Sequence, residues 1–200
     1  QLQSLDAENL GHVTDAAQRL NLVVSDVLTL SRALAGPRRL DLGVSTAAEL
    51  IEDSLLGFNS KAKALGISIT VEEPVPSLLV HCDAHLVRQA LRKLIDNALK
   101  FSQPGVMLRA ETDAGGQLAI SVRDEGPGIS VSRLRDCMQP FVQGDMTYAR
   151  PAEGLGLGLP IANAIAEVHG GALLLSTTPG KGLTATLTLP AEAGPAALSA

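Results

Sequence analysis

Apolar side chains recur at spacings of three and four along the N-terminal segment, at Leu10, Val13, Ala17, Leu20, Val24, Val27, Ser31 and Leu34, with Ser31 the one polar member. This is a heptad stripe, and it predicts one long helix whose seam suits a second long helix better than the flank of a compact domain. Gly36-Pro37 is a stop signal for that helix.

Beyond Pro37 the pattern shortens and mixes periods. A strand is expected at Arg38–Leu42, followed by Thr46-Ala-Ala-Glu49, a capping box that opens a helix to about Leu65, with Gly66 closing it. Ile67–Val71 and Leu78–His81 read as strands around a loop marked by Pro74 and Pro76. Asp83 is placed to cap a helix over Ala84–Phe101 whose inner face carries Leu91, Leu94, Ile95 and Ala98. Val106–Thr112 and Gln117–Arg123 flank Asp113-Ala-Gly-Gly116, a hairpin signal. A short helix near Ser132–Met138 precedes a polar stretch at Gln143–Glu153, and a glycine-rich segment then opens a helix to about His169. Leu173–Thr177 and Leu183–Leu189 form a last hairpin around Pro179-Gly-Lys-Gly182. Hairpins beside helices, without regular βαβ alternation, predict an α+β fold: a two-layer α/β sandwich with one mostly antiparallel sheet and its helices on a single face. Three parts are expected: a helix over 1–36, a compact domain over 37–190 and a disordered tail over 191–200, small and Pro/Gly-containing.

Composition narrows the function classes. Apolar residues make up 46% of the chain but aromatics only 2%, so the core has to be aliphatic. A net charge of -5 argues against a nucleic-acid partner, which calls for clustered Lys and Arg. No apolar run approaches the ~20 residues of a membrane span, and no signal peptide opens the chain. Cys82 and Cys137 stand in no metal-ligand spacing and read as buried thiols of a reducing compartment. The chain opens on Gln1 and is expected to be part of something longer, with a cytoplasmic location.

Three clusters carry candidate chemistry. In Leu94-Ile-Asp-Asn97-Ala-Leu-Lys100, Asn97 and Lys100 share one side of a helix, an amide suited to Mg²⁺ beside a cation suited to phosphate. Asp124-Glu-Gly126-Pro-Gly128 follows a strand, so its carboxylate can accept a hydrogen bond from an exocyclic amine such as that of adenine. Gly154-Leu-Gly156-Leu-Gly158 leads into a helix and offers bare amides and a positive helix end to phosphates. It is neither a dinucleotide fingerprint nor a P-loop, because the spacing and the lysine are wrong. Singly, each cluster reads as well as a polar helix face, an ordinary turn or a flexible loop.

Taken in order, the Asn-bearing helix, Asp-x-Gly-x-Gly, Pro140-Phe141-Val-Gln-Gly-Asp145 and Gly-x-Gly-x-Gly-Leu resemble the N, first glycine, F and second glycine boxes of sensor histidine kinases. These belong to the Bergerat-type ATPases, with gyrase and MutL. His169-Gly-Gly171 resembles the turn after the last glycine-box helix, and Ser25-Asp-Val-Leu-Thr-Leu-Ser-Arg32 the end of the family's second dimerisation helix. The wording at Gln143-Gly-Asp145 and Arg150 resembles the PleC/DivJ group. The resemblance spans Leu10 to Pro190. It implies that Asn97 binds Mg²⁺ between ATP phosphates and that Lys100 contacts a phosphate. Asp124 would take the adenine amine, with Gly126 and Gly128 shaping that pocket. Residues 143–153 would form a lid, and Gly154, Gly156 and Gly158 would follow the phosphates. It further implies a homodimer through the N-terminal helix of the parent protein and a response-regulator receiver domain as partner. Anchoring of the parent in the inner membrane stays open.

Two departures qualify the resemblance. Lys93 stands where sensor kinases usually carry Asn and gyrase-like enzymes a water-activating Glu; a lysine with pKa near ~10.4 cannot be that base, so hydrolysis is disfavoured. Lys93 and Arg150 are candidate phosphate contacts. The family's phosphoacceptor box is absent, since His12-Val-Thr-Asp does not match it, so the acceptor histidine is expected upstream of this chain; His81, His85 and His169 read as structural. The expected function is therefore phosphoryl transfer from Mg·ATP to a histidine. The alternative is a scaffold that keeps the fold and binds a regulator without useful kinase activity, to which Lys93 and Leu155 (Thr is common there) lend some support.

Overall fold

The computed structural model describes residues 13–14, 16–17, 20–21, 23–31, 40–113, 115–142, 155–178 and 180–190. In chain order the elements of the compact part are β1 (Gly43–Thr46), α1 (Ala47–Leu55), α2 (Phe58–Leu65), β2 (Ser68–Val71), β3 (Leu79–Cys82), α3 (Ala84–Phe101), β4 (Gly105–Thr112), β5 (Leu118–Asp124), α4 (Gly158–Val168), β6 (Ala172–Thr177) and β7 (Leu183–Leu189). Five strands make one sheet in the order β2-β4-β5-β7-β6, parallel only between β2 and β4, and β1 pairs with β3 in a separate antiparallel ribbon. The expected two-layer α+β sandwich is the fold observed.

One face of the sheet is buried, as β4 makes plain: Val106, Leu108 and Ala110 point inward while Met107, Arg109 and Glu111 are exposed. On that face lie α3 and α4. Leu91, Leu94, Ile95 and Ala98 of α3 and Ile161 and Ile165 of α4 meet Leu108, Leu118, Ile120 and Leu187 in an aliphatic core. Cys82 and Cys137 are both buried free thiols. His169 ties the two helices at their far ends. Its Nε2 accepts from Asp83 N at 3.0 Å, so Nδ1 carries the proton and donates to Ile165 O at 2.7 Å. Asp83 in turn caps α3 by accepting from Leu86 N.

Three boundaries differ from expectation. The helix expected from Thr46 to Leu65 is two helices, broken where Gly57 takes a left-handed φ of 84°. The carbonyls freed there are taken up by Arg92 Nη1, which donates to Ser54 O and Leu56 O, a tertiary contact. The first strand lies at Gly43–Thr46, after the expected Arg38–Leu42, because it pairs with β3 and runs directly into the cap. The helix near 132–138 is two single 3₁₀ turns, Val131–Arg133 and Asp136–Met138.

Residues 23–31 are helical and lie against α3 by a face that is not the heptad seam. Leu30 is buried in the core, and Gln89 Nε2 of α3 donates to Thr29 Oγ1 at 3.0 Å. The seam residues Val13, Leu20, Val24 and Val27 are 66%, 64%, 48% and 42% exposed. These described seam residues are thus left uncovered by the compact domain. Residues 32–39 and 191–200 lie outside the described set, so the break at Gly36-Pro37 and the tail are not part of this description.

The capping box is formed as expected: Glu49 N donates to Thr46 Oγ1 at 3.3 Å and Thr46 N to Glu49 Oε2 at 2.8 Å. Thr46→Ala is expected to lower stability by about 1 kcal/mol, read as a lower midpoint in urea denaturation with the slope unchanged. An unchanged midpoint would count against the box as a stabilising element.

Candidate functional site

The site is organised along the outer side of the second half of α3, from Lys93 to Phe101. At one end stands the turn after β5. Asp124 closes that central strand and is buried. Its Oδ1 accepts from Gly126 N at 2.8 Å and from Leu183 N, the first residue of β7, at 3.2 Å. Oδ2 receives no hydrogen bond among the described residues. Burial pushes the Asp124 carboxyl above its usual range, and the two backbone N–H groups and Arg123 offset that only in part.

The glycines of this turn are required by close packing. A Cβ on Gly126 would lie 2.5 Å from Phe101 O, and one on Gly128, whose φ is +70°, would lie 2.8 Å from Thr178 O. The turn is clamped by the β6–β7 hairpin: Ile129 N donates to Thr177 Oγ1, Thr177 Oγ1 to Gly182 O, and Gly180 N to Pro127 O. Gly182 is equally constrained, since a Cβ there would sit 1.9 Å from Asp124 O. On the α3 side, Ser102 Oγ accepts from Glu125 N at 3.1 Å. Thr177, Gly182 and Ser102 were not singled out in the sequence, where they are indistinguishable from ordinary hairpin and helix-end residues.

Midway along the Lys93–Phe101 stretch of α3, Asn97 is half-buried and its amide has no hydrogen-bond partner among the described residues. Lys100, one turn on, is bound 2.7 Å from Asp96 Oδ2, and Asp96 also pairs with Lys61 of α2. Burial raises the Asp96 carboxyl, but the bonds from Lys100 and Lys61 outweigh it and hold it below its usual range. Lys100 is therefore within the site but already paired.

At the other end, Gly158 opens α4 beside Lys93. A Cβ on Gly158 would meet only Lys93 Cβ and O at 3.9 Å, ordinary contact, so nothing in the protein's own packing requires glycine there. Gly156 differs: its φ is +70° and a Cβ would strike Val142 O at 2.5 Å. Val142 and Gly156 thus bring together the two ends of the 143–154 stretch. Phe141, just before it, is 64% exposed with a left-handed φ of 66°. Gly154, Arg150, the lid and its PleC/DivJ-like wording lie outside the described residues, as does His12.

From Gly158 beside Lys93 to Gly126 beside Phe101 the site follows nine residues of α3, eight rises or about 12 Å of helix. That is the reach of an extended nucleotide. A carboxylate lies at one end, an amide with no partner among the described residues in the middle and a helix N-terminus with side-chain room at the other. Among the described residues no group of three His, Cys, Asp or Glu side chains could hold a metal by itself. A lone amide oxygen fits a Mg²⁺ that arrives on phosphates, because Mg²⁺ takes few protein ligands and keeps substrate oxygens and water.

Residues 82–193 match the family of histidine kinase-, DNA gyrase B- and HSP90-like ATPases, more than half of the chain. The chain belongs to this family. Among curated relatives of this ATPase domain, the sensor protein GacS of Pseudomonas syringae pv. syringae is 34% identical over 180 residues, 86% of this chain and 20% of GacS. The non-motile and phage-resistance protein of Caulobacter vibrioides is 30% identical over 184 residues, 89% of this chain and 22% of that protein. Among solved structures, full-length ShkA in complex with AMPPNP has a TM-score of 0.76 at 29% identity, covering 88% of this chain and 37% of ShkA. The chain thus spans about a fifth of the length of those curated relatives. Among its described residues no helix is long and apolar enough to cross a membrane.

The raised Asp124 carboxyl makes a testable cost. A carboxyl whose folded pKa lies above its unfolded value binds protons more readily in the folded state, so its ionisation destabilises the fold at neutral pH. That cost disappears as pH falls through the raised pKa towards the ordinary 3.8. Asp124→Asn keeps an acceptor for both backbone N–H groups and is expected to raise the melting temperature of the nucleotide-free domain at pH 7. The gain should shrink on acidification, and thermal melts across a pH series check it. A difference independent of pH would contradict the burial cost.

Proposed function

We propose that this domain binds Mg·ATP and donates its γ-phosphate to a histidine of a dimerisation region, for relay to an aspartate of a response-regulator receiver domain. The observation that carries the reading is the Asp124 carboxylate, held by two backbone N–H groups through Oδ1 while Oδ2 accepts from none of the described residues. A carboxylate placed so can accept from the adenine amino group. Asn97 would hold Mg²⁺ through its amide oxygen together with phosphate oxygens, and the ion would neutralise phosphate charge. Gly156, Gly158 and the N-terminus of α4 would receive the phosphates, with Lys100 and, from the lid, Gly154 and Arg150 as further contacts. Transfer of this kind rests on positioning and charge neutralisation, which suits a site built of amides, glycines and lysines.

An Asp124 oxygen and an Asn97 amide that have no partner among the described residues support a working nucleotide site over a scaffold that has lost it. The uncovered heptad seam supports a homodimer of the parent through its N-terminal helix. The domain would work on the cytoplasmic side.

Calorimetry is expected to show Mg·ATP binding that Asp124→Asn weakens by about 1.5–3 kcal/mol, roughly tenfold to a hundredfold. Asn97→Ala should remove the Mg²⁺-dependent part of the affinity. Equal ATP affinity in Asp124→Asn would sink its assignment to adenine. Incubated with labelled ATP, this chain alone is expected to carry no acid-labile phosphohistidine, because His12 has Gly11 and Val13 beside it and no adjacent carboxylate. Acid-labile label that vanishes in His12→Ala would move the phosphoacceptor into this chain.

A further inference from the structure

Lys93 is occupied. Its Nζ lies 2.6 Å from Asp26 Oδ1 on the N-terminal helix, and the two side chains are only 23% and 20% exposed. The contact continues one turn away, where Gln89 Nε2 donates to Thr29 Oγ1 and Leu30 enters the core. At its base Lys93 is close to Gly158 at the start of α4, since a Cβ built there would lie 3.9 Å from Lys93 Cβ and O, and Asn97 follows one turn along α3. Lys93 therefore stands between the N-terminal helix and the end of the site assigned above to phosphates.

We propose that Lys93 is a shared contact. In the nucleotide-free domain Asp26 neutralises its ammonium, and the terminal phosphate of a bound nucleoside triphosphate takes it over, loosening the N-terminal helix from α3. The inference rests on reading this site as a nucleotide site.

The physical case is competition between two anions for one cation. A terminal phosphate carries more charge than a carboxylate, so once it sits beside Gly158 it both attracts Lys93 and repels Asp26. The pair is largely withdrawn from solvent, so salt screens it less than a surface pair. The Gln89–Thr29 hydrogen bond and buried Leu30 are both neutral, so the ion pair supplies the charged part of the contact, and losing it weakens the docking. Linkage makes the effect reciprocal: to the extent that ATP weakens docking of the helix, docking weakens ATP binding by the same factor. A diphosphate lacks the competing group. The arrangement also gives a lysine here a role that a neutral amide could not fill, since an amide could not hold Asp26 by charge.

Two measurements test it. The first is calorimetry with ATP and with ADP, each with Mg²⁺, on the wild type, Asp26→Asn, Lys93→Gln and the double variant. Asp26→Asn should bind ATP about three- to tenfold tighter with ADP affinity unchanged. Lys93→Gln should bind ATP more weakly than the wild type, and the gain from Asp26→Asn should vanish in the Lys93→Gln background. The second needs no variant: hydrogen exchange over residues 23–31 of the wild type should quicken with ATP and not with ADP. An equal gain for both nucleotides, a gain that persists without Lys93, or exchange that stays the same or slows with bound ATP overturns the proposal while leaving the nucleotide site intact. Wild-type protein that binds neither nucleotide overturns the reading of the site, and the shared contact with it.

Discussion

Asp124 has to meet two demands that conflict. It ends the central strand of the sheet, where burial disfavours its charge, and the proposed function asks it to keep one oxygen available. Both are met because Oδ1 alone accepts the two backbone N–H groups, from Gly126 and from Leu183. Much of the surrounding geometry follows. The donor from Gly126 needs a turn so tight that a side chain there would collide with the end of α3, and the donor from Leu183 needs Gly182 pressed against the Asp124 carbonyl. The β6–β7 hairpin is thus part of the site's frame although none of its side chains needs to touch a ligand.

The same division of labour runs along α3. Leu91, Leu94, Ile95 and Ala98 are buried on one side, and Lys93, Asn97 and Lys100 line the other at helical spacing. Burying the apolar face fixes the rotation of the helix, and that rotation aims the polar residues. Their states in the empty domain differ. Asn97 has no partner among the described residues, Lys100 is held by Asp96, and Lys93 is held by Asp26. Both lysines are thus paired with carboxylates, which lowers the cost of placing two cations on one helix face.

The N-terminal helix carries two faces with separate uses. The stripe read from spacing is exposed, and contact with the domain is made by Asp26, Thr29 and Leu30.

The sequence by itself determined the elements whose signals are local. The capping box at Thr46 and Glu49, the Asp83 cap and the full span of α3, the Asp113 hairpin and the order of the three motifs all depend on neighbours within a few residues, and all are where the residues place them. The break at Gly57 was missed because the helix pattern continues across it, and its freed carbonyls are satisfied by Arg92 from another helix. Only the tertiary structure decided which glycines are demanded by packing (Gly126, Gly128, Gly156) and which is not (Gly158), because the deciding atoms come from distant segments. The roles of Thr177 and Gly182 as clamps and the pairing of Lys93 with Asp26, 67 positions earlier in the sequence, were likewise beyond it. Spacing in a sequence reports which residues share a face; which face meets which charge is settled when separate elements pack.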